Sequence, residues 1–177
     1  MIIAIILIAA GTVTAYVLLR PKDTVEQASQ TQPETEAPVI NATSQKAQTL
    51  AAEGNTKEAY SLLNKEIENT TSGEVKSELY STKAVIASSD PNAGTDTALE
   101  YALQADQAAP TASTAAFVAY LYETKGDIAN AIRYYELARD RDAQETAQFL
   151  SENPDVTREG LGDGAYYTSK IEALQNG

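Results

Sequence analysis

Apolar residues are spread along this chain in three distinct ways. From Met1 to Leu19 the sequence is almost unbroken Ile, Leu, Val and Ala, interrupted by Gly11, Thr12, Thr14 and Tyr16, and it carries no charged side chain. From Asp23 to about Pro38 apolar residues become sparse among Thr, Gln, Glu, Ala, Ser and Pro. From about Ile40 they return with the spacing of one helix face. The clearest case is KGDIANAIRYYELAR, Lys125 to Arg139, where Ile128, Ala131, Ile132, Tyr135 and Ala138 form one apolar stripe after a Gly126-Asp127 turn. Ala115, Val118, Ala119 and Tyr122 form a second stripe before that turn. Two stripes flanking a tight turn predict an antiparallel helix pair, with the alanines at its closest approach.

The pattern recurs. Ala47, Leu50, Gly54-Asn55, Ala59, Tyr60, Leu63 and Ile67 trace it once, and Tyr80, Ala84, Ala87, Ala98, Leu99, Ala102, Ala105 and Pro110 trace it again across a longer turn at Asp90 to Gly94. The expected units are 40–73, 77–111 and 112–145, within a helical region of 40–152. After Pro154 a loop rich in Gly and Asp leads to Tyr167, Ile171 and Leu174, whose spacing predicts a last helix. We therefore expect residues 153–177 to form a loop and a capping helix over the open end of the stack.

These residues resemble the tetratricopeptide repeat family, whose unit is a helix pair of 34 residues. In the third unit Ala119, Tyr122, Gly126, Asp127, Ala131, Tyr135 and Ala138 stand at signature positions. Departures from the signature are Thr43, Tyr80 and Ala115 at the bulky first position and Glu66 where a small residue is usual. The resemblance covers about 105 of the 177 residues. It implies an all-α fold of about three stacked helix pairs and a protein or peptide partner held along the first helices of successive units. The resemblance extends to membrane-anchored, bacterial-type members, because of the N-terminal segment.

That segment, 1–20, is expected to be a transmembrane helix: about 19 residues at 1.5 Å each span roughly 28 Å, close to the apolar thickness of a bilayer. Val13-Thr14-Ala15 has the form of a cleavage site, so a removed signal peptide is the rival reading. Residues 21–39 are expected to be a disordered acidic linker. The expected location is the cell membrane, single-pass. Arg20 and Lys22 favour a cytoplasmic soluble domain, whereas the spacer-like linker favours an extracytoplasmic one, which we take as the expectation.

Composition narrows the chemistry. The net charge of −12, from 25 acidic and 13 basic residues, opposes binding to nucleic-acid phosphates. With no His and no Cys, metal sites of the usual nitrogen and sulfur ligands and His-based catalytic triads are ruled out. No cofactor, metal or catalytic residue is expected. Asp90-x-Asn92-x-Gly94-x-Asp96 departs from a calcium loop at Thr95 and reads better as a turn. The expected function is a membrane-tethered adaptor or scaffold that binds another protein. The alternatives are a structural subunit of a cell-envelope assembly and a carboxylate-based hydrolase. The expected groove residues are Tyr120, Gln48, Ser81, Val85, Ala116 and Glu123. Among them Tyr120 is the one large amphipathic side chain, and it lies beside the core stripe rather than in it.

Overall fold

A computed structural model describes residues 36–157, 161 and 164–176. Among the described residues seven helices occur and no strand: α1 (Glu36–Ala52), α2 (Thr56–Asn69), α3 (Gly73–Ser89), α4 (Gly94–Ala108), α5 (Ala112–Lys125), α6 (Ile128–Glu152) and α7 (Ala165–Asn176). They form three sequential pairs and a final single helix.

The turns between partners follow from local chemistry. Gly54 and Gly126 adopt φ of 87° and 81°, the left-handed conformation that ends a helix at least cost in glycine. At the second of these the Gly126 amide donates to Glu123 O at 3.0 Å and the Asp127 amide to Tyr122 O at 2.9 Å. Asp127 then caps α6, its carboxylate accepting from the Asn130 amide at 3.2 Å. The dipeptide thus stops one helix and starts the next. In the middle pair the Asp90 carboxylate accepts from the Asn92 amide at 2.8 Å, so that this acidic loop is a side-chain-capped turn. Thr111 and Thr114 form a reciprocal capping box at the start of α5.

Packing is sequential. Within each pair the two helices pack together, and α1 and α2 also pack on α3, α4 on α5, and α6 on α7. The buried clusters have the same organisation. Ala47, Ala59 and Leu63 of the first pair join Leu79 and Ile86 of α3. Ala84, Ala87, Ala98, Leu99 and Ala102 of the second pair join Val118 and Leu121 of α5. Ala119 and Tyr135 of the third pair join Ile171 of α7. Each pair thus completes its core with the first helix of the next unit, and α7 fills that place at the end. Of the third-unit stripe, Ala131, Tyr135 and Ala138 are buried, whereas Ile128 remains 39% exposed.

The structure corrects several expectations. The expected fold included a membrane-spanning helix; among the described residues no helix is long and apolar enough to cross a membrane. The longest, α6, has 25 residues and carries Arg133, Glu136, Arg139, Asp140, Arg141 and Asp142 in its middle. The described residues are therefore all-helical without a span, and residues 1–19, where the sequence placed one, lie outside them. Of the expected linker at 21–39, residues 21–35 also lie outside them, whereas Glu36 to Val39 belong to α1. Pro38 falls in the first turn, where a missing amide hydrogen leaves no helical bond unmade. The second unit begins at Gly73 rather than 77, because Ser72 caps α3 by accepting from the Val75 amide at 3.3 Å. Gly73 is required there by close approach: a Cβ at this position would lie 2.5 Å from Ala108 O. The third unit's second helix passes 145 and ends at Glu152.

Candidate functional site

Helix α5 turns its small residues inward: Ala112, Ala115, Val118 and Ala119 are buried. Tyr120 follows Ala119 by one residue, about 100° around the helix, and is thereby carried off the buried face; it is 40% exposed. Glu123, one turn further on, points to α6 and α7 instead. Its carboxylate accepts from the Tyr135 hydroxyl at 2.7 Å and from the Lys170 ammonium at 2.8 Å. The Lys170 Nζ also stands 5.6 Å from the centre of the Tyr135 ring.

Burial raises the Glu123 carboxyl's pKa, but the hydrogen bonds from Lys170 and Tyr135 and the Lys170 charge outweigh burial and hold it below its ordinary value. The Tyr135 hydroxyl is held well above its usual value, by burial first and then by donation to Glu123, with smaller contributions from Tyr166 and Tyr120. Tyr166 is 65% exposed, and its ring meets that of Tyr167 edge-on at 5.4 Å. The Glu123–Tyr135–Lys170 cluster ties α5, α6 and α7 together, and Tyr120 and Tyr166 stand exposed on two of these helices, α5 and α7.

The other expected groove residues are distributed along the first helices. Gln48 on α1 is exposed; Ser81 and Val85 on α3 and Ala116 on α5 are half-buried. Glu123, expected to face a partner, is engaged inside the chain. Tyr166 and Lys170 were not foreseen as part of the site. Their signal was the apolar spacing of Tyr167, Ile171 and Leu174, which places α7 as a cap but does not indicate what its polar neighbours touch.

A second polar cluster is structural. Arg141 of α6 pairs through Nη1 and Nη2 with both carboxylate oxygens of Asp106 and donates to Thr111 O at 3.1 Å. The Thr114 hydroxyl donates to Asp106 Oδ1 at 2.6 Å, and the Ala112 amide to Glu145 Oε1 at 2.7 Å. These bonds fasten the end of α4 and the start of α5 to α6, which holds the α5 face that displays Tyr120.

No family model matches this chain, and no curated protein or solved structure does.

Proposed function

We propose that the chain is a protein-binding adaptor of the tetratricopeptide-repeat kind, with its partner surface centred on Tyr120 and Tyr166. The observation that carries this reading is the exposure of these two tyrosines, at 40% and 65%, on two helices that one hydrogen-bonded cluster joins. Tyrosine buries a large area on binding and loses little rotamer freedom, which is why it recurs at interface hot spots. The cluster beneath preorganises the patch: Glu123, Tyr135 and Lys170 fix α7 against α5, so little ordering remains to be done when a partner docks. The groove positions Gln48, Ser81, Val85 and Ala116 extend this surface along the first helices as small, uncharged contacts.

The test is affinity capture with the full chain, repeated with Tyr120→Ala and with Tyr166→Ala. Each substitution is expected to weaken the captured partner's binding by about 2 kcal/mol while the melting temperature stays within about 2 °C of wild type. Retention of full affinity by both variants, with their stability intact, refutes the assignment.

A further inference from the structure

At the junction of the first two pairs lies a lysine with an unusual environment. Lys83 of α3 is 6% exposed. Its ammonium stands 4.0 Å from the centre of the Tyr101 ring, 5.5 Å from that of Tyr80 and 6.0 Å from that of Tyr60, residues of α4, α3 and α2. Among the described residues it has no carboxylate within ion-pair distance and no hydrogen-bond acceptor. Its side chain nevertheless keeps a small contact with solvent, at 6% of its surface; beside it, the Tyr60 hydroxyl is fully buried and without a hydrogen-bond partner. The charged groups around the cluster are Glu100, which acts on Lys83 and Tyr101 from α4, and Asp90, which acts on Tyr60 from the turn.

Two effects oppose each other at this amine. The three ring faces stabilise the charged form, but two of them stand near the roughly 6 Å limit of that interaction. Removal from water, with no counter-ion in contact, stabilises the neutral form, and desolvation of an ion is the larger quantity. Burial accordingly holds the Lys83 ammonium below its usual range, by more than the charge of Glu100 restores. A neutral amine that still reaches solvent is a nucleophile.

From this cluster we infer that Lys83 is a modification site, the lysine of this chain that accepts an acyl group most readily from small, activated acyl donors such as acyl phosphates. The ammonium first loses a proton to water. The nitrogen lone pair attacks the acyl carbon, the N–C bond forms, the C–O bond to phosphate breaks, and inorganic phosphate leaves with that electron pair. The second nitrogen proton passes to solvent, leaving a neutral amide. The product has no charge for the three rings to hold and carries extra bulk between α2, α3 and α4. Acylation would therefore loosen the junction between the first and second pairs. Nothing in this inference depends on the Tyr120 patch.

The experiment treats the full folded chain with limiting acetyl phosphate near neutral pH and follows each lysine by peptide mass spectrometry. A parallel sample is unfolded in urea. Lys83 is expected to be acetylated several-fold faster than the exposed Lys46, Lys57 and Lys65 in the folded chain, and to lose that lead in urea. A folded-state rate at or below that of Lys57 overturns the inference. So does a lead that persists in urea, because it would then belong to the local sequence and not to the cluster.

Discussion

Replacing Tyr135 by Phe removes one atom from the centre of the α5–α6–α7 junction and leaves the ring in place. The ring is 2% exposed, so its packing is retained. What is lost is a 2.7 Å hydrogen bond to an ionised carboxylate. Bonds of this type contribute about 1.5–3 kcal/mol. The lower end applies here, because Glu123 keeps the Lys170 ammonium at 2.8 Å and its side chain is 29% exposed, so water can take up the freed oxygen. We expect a loss of about 1.5 kcal/mol, or about 5 °C in melting temperature for a domain of this size. Urea unfolding at pH 7 measures it.

The pH dependence adds a second check. Glu123 binds its proton less readily in the folded chain than in the unfolded one, where its value is near 4.5. Its contribution is therefore fully present above that value and is lost as pH falls through the lower, folded one. The difference between wild type and Tyr135→Phe should accordingly hold at neutral pH and shrink below pH 4.5. Because both donors share one carboxylate, Tyr135→Phe and Lys170→Met should be non-additive by about 0.5 kcal/mol or more. Equal stability of Tyr135→Phe and wild type at pH 7 would refute the reasoning, as would a gap that widens on acidification.

Three further substitutions test the stack. Ala131 is fully buried where α6 meets its neighbours, so Ala131→Leu should overpack the contact and cost about 1–3 kcal/mol, read by thermal unfolding. Gly73→Ala places a Cβ 2.5 Å from a backbone oxygen and should destabilise by about 1 kcal/mol or more, although alanine is the better helix former; chemical denaturation gives the sign. Arg141→Met leaves Asp106, whose side chain is 14% exposed, without its counter-ion, and should cost about 3 kcal/mol, with the loss reduced when Asp106 is also replaced by Asn.

The helix pairs were legible in the sequence because two signals agreed. In the third unit, Gly126-Asp127 marked the turn, and Ala131, Tyr135 and Ala138 marked the buried stripe at the spacing the helix requires. Boundaries were less legible where a residue had two readings. Gly73 looks like a break in a helix, but it is helical because its missing side chain admits Ala108 O. Glu123 looked like a surface carboxylate, since its partners Tyr135 and Lys170 are 12 and 47 residues away and no local pattern links them. Lys83 was hidden for a similar reason: Tyr80 stands one turn back on its own helix, but Tyr60 and Tyr101 come from two other helices, and only packing brings their rings to the amine. Tyr120 stands 40% exposed, off the face that Ala112, Ala115, Val118 and Ala119 bury.

The central claim is that a partner covers Tyr120 and Tyr166 together. Hydroxyl-radical footprinting of the full chain, free and bound to its captured partner, measures this most directly. The account predicts that oxidation of both tyrosines falls on binding, while that of Leu137 and Val156, exposed apolar side chains of α6 and of the segment after it, is unchanged. Protection confined to Leu137 or Val156, with Tyr120 and Tyr166 oxidised as in the free chain, would contradict it.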